Sequence, residues 1–247
     1  MLESLLKKFE IYKDTCPITN LRDGCVSFTR NKSYSKYVEN TDKDVWIIAS
    51  KEDWWLSDKI SSTVKCYFID NPEYYFTLYH NFVHKNDIVS PPIIGNNTII
   101  HDTVVLNIEG LKVVYGDNNK KIQFKHVGNI VIGNDVEIGA LSVVHRGTMG
   151  STVVRDGVKI GAKVNIAHNN DIGENTVIAV GVITNGSVKI GKNCWISSGV
   201  LIRNGVSICD DVVIGLGSVV IKDINSPGIY VGNPAKYLGP KKERWNF

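Results

Sequence analysis

Lys159-Ile-Gly-Ala-Lys-Val-Asn-Ile-Ala-His-Asn-Asn-Asp-Ile-Gly173 decides the fold, because an apolar residue recurs in it every six positions. Stepping onward by six from Ile160 meets Ile166, Ile172, Ile178, Thr184, Ile190, Ile196, Ile202, Ile208, Ile214 and Val220. Ten of these eleven residues are Ile or Val, and only Thr184 interrupts them. Six is a multiple of the strand period and matches no whole number of helical turns. A short fixed period of this kind marks a repeat architecture. The spacing predicts a parallel β-helix in which each hexad is one short strand and a turn, with the Ile/Val column stacked inside.

Working outward, Ile94, Ile100 and Leu106 are also six apart, so a first coil is expected directly after Ser90-Pro91-Pro92. The period lapses from Glu109 to Lys125, a polar stretch expected to leave the coil as a loop or hairpin. It resumes at Ile132, Ile138 and Val144. From Val144 to Ile160 the gap is sixteen, four more than two hexads, which predicts an excursion around His145 to Val153. With three hexads to a coil, the span holds about six coils. Gly228 to Lys236 breaks the repeat and is expected to cap the open end.

Residues 1–88 read as a small α/β domain. Leu2, Leu5, Leu6 and Phe9 suggest a short amphipathic helix. Val26–Phe28, Val45–Ala49 and Val64–Ile69 suggest strands. Asn71 and Pro72 begin a helix to about His84, expected to bury Tyr75, Phe76, Leu78, Tyr79 and Phe82. The expected division is 1–88, 89–228 for the β-helix, and 229–247 for a cap and tail. A net charge of +3 gives no case for nucleic acid, and no 18-residue apolar run predicts a membrane span. Five widely spaced cysteines are expected to be free thiols in a cytoplasmic protein.

With these residues in hand, the chain resembles the hexapeptide-repeat acyltransferases, which fold as left-handed parallel β-helices and work as homotrimers. Val131–Gly139, His145-Arg-Gly147 and Asn165-Ile-Ala-His-Asn169 look like the core of the UDP-3-O-acylglucosamine N-acyltransferases of lipid A synthesis. Val26–Tyr34 looks like their nucleotide-binding domain, which implies that Phe28 stacks on the base and that Asn31 and Tyr34 contact the nucleotide. The ending, Gly215–Lys222 and Gly232–Lys236, is instead similar to acetyl-CoA-dependent sugar acetyltransferases. The combination is similar to the nucleotide-sugar N-acyltransferases that finish dideoxyaminohexoses for O-antigen or S-layer glycans, which implies transfer of an acyl group, acetyl first among candidates, from acyl-CoA to the amine of a dTDP- or UDP-linked amino-deoxy sugar. The alternative is the carrier-protein-dependent lipid A reaction itself. A non-catalytic sugar-binding scaffold is the reading from another class.

Acylating an amine calls for a base that titrates near neutrality, and a histidine fits without a large shift. His168 is the candidate, either as the base or as a residue that orients the sugar. His145, Arg146 and Asn169 are expected at the substrate; removing the four-residue excursion sets His145 beside Ala167, next to His168. A turn histidine and a surface ion pair are the plain alternatives for His145 and Arg146. Gly199, Gly217 and Lys222 are the residues the resemblance offers for CoA, with Trp195 flanking the pantetheine arm or a subunit seam. His126 raises a zinc reading, but it sits at an inward register and no third outward histidine accompanies it, so no metal is expected.

Overall fold

The computed structural model describes residues 2–9, 14–29, 34–39, 41–117 and 119–241. The chain is mainly β: a left-handed parallel β-helix and a small α/β domain. It divides into two compact units, one formed by residues 1–88 with 111–125, the other by 89–110 with 126–247. Residues 111–125, which the sequence reading keeps as an excursion inside the 89–228 span, therefore belong with the first unit.

In the second unit, strands stack into three parallel faces. The first runs from Ile93–Ile94 to Ser207–Ile208, and the second from Ile99–Ile100 to Val212–Ile214. The third runs from Val105–Ile108 to Val219–Val220. Six strands on the first and third faces make six coils. The stacking register is eighteen residues, as in Ile160 against Ile178 and Ile178 against Ile196. Across the excursion, Val144 pairs with Ile166, so the extra four residues are absorbed without loss of register.

Every residue of the Ile160–Val220 column is buried, and so is a second column four residues on, from Val158 to Ser218 in steps of six. The sequence reading finds the first column and misses the second, because Asn170, Thr176, Cys194 and Ser218 disguise it. Each hexad thus supplies two interior residues. Between them lies a corner residue with positive φ at every sixth position from Gly157 to Gly217, including Lys163 (57°), Asn169 (59°), Asn175 (55°) and Asn193 (53°). The left-handed region suits Gly, Asn and Asp, which take most of these places. Burying one Ile of the column contributes about 1.5–3 kcal/mol. In the first coil Ile94 is 47% exposed, since no coil lies above it. At the other end Gly228–Val231 pairs parallel with Val212–Ile214, and Lys236–Gly239 folds back antiparallel on it.

The first unit carries helices α1 (Leu2–Lys8), α2 (Ser35–Glu39) and α3 (Pro72–Val83), and strands β1 (Asp14–Thr15), β2 (Cys25–Phe28), β3 (Val45–Ala49) and β4 (Val64–Phe68). The four strands form one parallel sheet in chain order. Asn71 caps α3, its side chain accepting from the Tyr74 N–H. The buried face of α3 is Tyr75, Phe76, Thr77, Tyr79 and His80, whereas Phe82 is exposed. The expected face is therefore rotated toward polar Thr77 and His80, which find partners inside: Thr77 donates to the Glu73 carbonyl at 2.7 Å. Residues 111–125 form a hairpin, Val113–Tyr115 against Lys121–Gln123, tied to α3 by Asn71 and Asn81. Cys16 and Cys25 form a disulfide, which corrects the expectation of five free thiols; beside it the Cys16 N–H donates to the Val26 carbonyl. No described helix is long and apolar enough to cross a membrane.

Candidate active site

The corner between the third and first faces of the β-helix gathers the chemistry. His168 lies there, two residues past inward Ile166. The next residue, Asn169, occupies the positive-φ corner position, and its side-chain oxygen is fixed by Thr148. That oxygen accepts from the Thr148 N–H at 3.0 Å and from its Oγ1 at 2.8 Å. It also lies 3.1 Å from His168 Nδ1. An oxygen held by two donors presents only lone pairs to a third partner, so His168 Nδ1 carries the proton. In the neutral ring the basic lone pair is then on Nε2, the arrangement a general base requires. Thr148 comes from the excursion before Ile160, so the irregular segment orients the regular one. Sequence reasoning flags the excursion as a place for function but does not find Thr148.

Two glycines make the slot for the ring. A Cβ on Gly186 would lie 2.5 Å from His168 Nε2, and one on Gly110 would lie 3.0 Å from its Cδ2. Neither glycine has an expected role in the sequence reading. Gly186 is eighteen residues beyond His168, which is the available signal: the coil register sets it directly beneath. His126 is fully buried, as its inward register predicts, and meets His168 edge to face at 5.2 Å between ring centroids. Its Nδ1 accepts from the Gly110 N–H at 2.9 Å.

His145 reaches the same corner. Its Nε2 lies 3.0 Å from Asn165 Oδ1 and its Nδ1 3.2 Å from the Glu109 carbonyl. Arg146 has a different task from the expected substrate clamp. It is 8% exposed and donates to the His126 carbonyl at 2.9 Å, the Asn107 carbonyl at 2.6 Å and Glu109 Oε1 at 2.7 Å. Its three nitrogens are thereby committed to holding the first coils together.

The residues expected at the acyl donor are more dispersed. Gly199 (φ 70°) and Gly217 (φ 64°) fall on the positive-φ series at the corner after the second face, not on the His168 corner. Positive φ recurs at this corner in Leu141, Lys163 and Gly181, so the conformation of the two glycines is that of the turn. Lys222 does share the His168 column, which steps through Gly186 and Asn204 to Lys222. Three strand spacings put it about 14 Å from His168. It lines a cavity of about 280 Å³ with Pro234, Lys236 and Tyr237. Trp195, on the second face, lines an apolar groove of about 630 Å³ with Val213, Leu216, Ile229 and Leu238.

In the first unit Phe28 is 8% exposed and stacked on Phe76, with 4.6 Å between centroids. Tyr34 is half-buried beside Tyr37. Asn31 lies outside the described residues. Among the described residues no group of three or more His, Cys, Asp and Glu could hold a metal ion. Burial pushes the thiols of Cys66 and Cys194 up to about 11.

Over 137 residues the chain is 38% identical to a UDP-3-O-acylglucosamine N-acyltransferase of Coxiella burnetii, covering 56% of this chain and 40% of that protein. A protein of the same name from Hahella chejuensis is 39% identical over 144 residues, 58% of this chain and 40% of its own. Among solved structures, the UDP-N-acetylglucosamine O-acyltransferase of Moraxella catarrhalis superimposes with a TM-score of 0.57 at 25% identity, over 63% of this chain and 58% of that one. The chain resembles the hexapeptide-repeat acyltransferases. A further UDP-N-acetylglucosamine acyltransferase, at 19% identity and TM-score 0.55, covers 87% of this chain and shares its fold. The chain spans about 40% of the length of the curated relatives it matches. No protein-family model matches it.

Proposed function

We propose that this chain transfers an acyl group from a thioester to the amine of a UDP-linked amino sugar, with His168 as general base. The observation that carries the reading is the Thr148–Asn169–His168 relay, which puts the basic lone pair on Nε2. The sugar nitrogen attacks the thioester carbonyl carbon while Nε2 accepts the nitrogen's proton. The C–S bond then breaks, and the proton passes from the imidazolium to the departing thiolate. The products are an amide and a free thiol. With the Cys66 and Cys194 thiols held in the neutral form near pH 7, direct transfer is favoured over an acyl-cysteine intermediate.

The names of the sequence relatives support an acylated UDP-glucosamine as acceptor over acetylation of a dideoxyamino sugar, and an acyl carrier protein is the donor we propose with it. A second reading, with an acyl-CoA donor, draws on the apolar groove at Trp195 and the closing C-terminal hairpin. In either case Phe28 and Tyr34 are the proposed nucleotide contacts of the first unit. Apart from Asn165, the outward residues of the third face are apolar, and Val105 (44%), Ile183 (41%) and Leu201 (41%) are the more exposed of them. Such a stripe supports assembly of identical copies into a closed trimer.

The test is thiol release from acyl carrier protein and from acyl-CoA, each offered with acylated UDP-glucosamine and with a panel of dTDP- and UDP-amino sugars. Turnover with a UDP-amino sugar is expected, and its loss in His168→Ala by a factor of about 10²–10⁴ is expected for a base. Turnover only with CoA and dideoxyamino sugars would replace the first reading by the second. An undiminished rate in His168→Ala would remove the base.

A further inference from the structure

We propose that Thr15, His80, His84 and Asp87 form a four-proton latch in the first unit, closed only while His84 carries a proton on both ring nitrogens. The latch joins three separate pieces of that unit: strand β1, the last turn of α3 and the base of the 111–125 arm. Its loss would detach the arm and the helix end from the strand.

Four hydrogen bonds run in a line. His80 Nε2 lies 2.9 Å from the Lys125 carbonyl, and His80 Nδ1 lies 2.6 Å from Thr15 Oγ1. Thr15 Oγ1 is 2.8 Å from His84 Nε2, and His84 Nδ1 is 2.6 Å from Asp87 Oδ2. The two ends, a backbone carbonyl and a carboxylate, only accept. Four bonds therefore need four protons between the ends. Two neutral imidazoles and one hydroxyl bring three. With only three, one contact would oppose two lone pairs at hydrogen-bond distance inside the fold, where an unmade bond costs most. The geometry accommodates the fourth proton at the His84 end, beside the carboxylate.

The surroundings agree with that placement. His80 is wholly buried, stacked on Phe124 at 4.2 Å. Burial, joined by the nearby charges of His84 and Lys112, lowers its affinity for a second proton to about 3, while the Lys125 carbonyl and Asp87 oppose the shift. From β1, Asp14 Oδ1 stands 3.7 Å from His84 Nε2 and adds a second negative group. Arg22 ties that carboxylate and the Thr15 carbonyl from outside, at 2.9 and 3.0 Å. From the arm, the Lys125 ammonium donates to the carbonyls of His84 and Lys85, turned to the backbone and not to the rings. Each piece that meets the line thus supplies acceptors to His84 or keeps a proton off His80.

The test is ¹⁵N NMR of histidine-labelled full-length protein, paired with amide exchange of peptides covering α3 and residues 119–125 across pH 6 to 10. At pH 6.5 the His84 ring is expected with both nitrogens in the protonated range and the His80 ring with a single protonated nitrogen, each of the six histidines being assigned by the signal its Gln variant lacks. Raising the pH to 10, which takes the fourth proton from the line, is expected to speed exchange in both segments about tenfold beyond the intrinsic rate change. His84→Gln keeps an N–H for Thr15 and cannot titrate, so its exchange is expected to follow the intrinsic rate alone. A singly protonated His84 ring at pH 6.5 in the wild type would overturn the latch. So would an unchanged pH response in a folded His84→Gln protein. None of these measurements depends on the acyltransferase reading.

Discussion

The two units bury polar groups in opposite ways. In the β-helix, interior Thr184, Asn170 and Thr176 bond to backbone in their own coil or the next: Asn170 Nδ2 donates to the Ala167 and Asn185 carbonyls, both at 2.8 Å. The bonds these side chains make lie within one stacking step, with Asn170 Oδ1 left without a partner among the described residues, so a defect stays local. In the α/β unit, Thr15, His80, His84 and Asp87 connect segments as far apart in sequence as residues 15 and 84. There a single proton acts on the whole assembly. A repeat gets its order from register, whereas a non-repeating sheet depends on particular long-range partners.

Acid should separate the units most widely. His80 is held neutral, with its proton affinity lowered from 6.5 to about 3. A base whose folded value is depressed leaves the unfolded chain binding more protons between those limits. The stability that neutral His80 contributes to the first unit is therefore complete above about 6.5 and falls as pH drops toward 3. Hydrogen exchange at pH 7 and pH 4 is expected to show α3 losing protection well before the hexads around Ile190 to Ile208. Simultaneous loss in both units would break the contrast.

A cavity in the column should have the converse effect. Ile196 is fully buried between coils, and Ile196→Ala is expected to cost about 2–5 kcal/mol. Urea unfolding followed by exchange should place the loss in the coils around it, with protection of α3 unchanged.

Much of this contrast can be read from residues. The Ile160–Val220 column, the hairpin after Glu109 and the pairing of Val144 with Ile166 all follow from counting sixes. Where each step of the chain repeats the last, local pattern and global contact coincide. Within the site, the same count sets His168 on its corner and Gly186 one coil beneath it. What the count does not reach is Thr148, because the excursion has no register, and the association of 111–125 with α3, because a polar hairpin carries no mark of where it folds. The Cys16–Cys25 disulfide and the His80–Thr15–His84 line escape for the same reason. At Gly199 and Gly217 the count does reach the backbone: their positive φ belongs to a corner that recurs all along the coil.

The site sharpens the comparison, since its parts come from neighbouring coils and should fail locally. Gly186→Ala forces a methyl against His168 Nε2 and must turn the ring, with an expected 10- to 100-fold loss of turnover, or about 1.4–2.8 kcal/mol. Asn169→Gly keeps the positive φ of the corner but removes the oxygen that orients Nδ1, and a loss of about tenfold is expected. In both variants the urea midpoint should move little. A collapse of stability in either would mean that the corner is structural first and that the rate loss says nothing about chemistry.

The smallest effect is expected at the one residue that interrupts the column. Thr184 Oγ1 accepts from the Ala167 N–H and donates to the Asn165 carbonyl, each at 3.3 Å, long enough for both bonds to be weak. Thr184→Val keeps the shape and replaces the hydroxyl by a methyl that the buried column can hold. Lost hydrogen bonding and gained apolar burial oppose each other, so the net change should stay within about 1 kcal/mol in urea unfolding. The two contacts straddle Ile166, immediately before the His168 corner. If the variant keeps its stability but loses more than a few-fold in turnover, the hydroxyl tunes the strand that carries the base, and the break in the Ile/Val run is a feature of the site. If turnover holds as well, Thr184 is a tolerated substitution in a column that needs only shape.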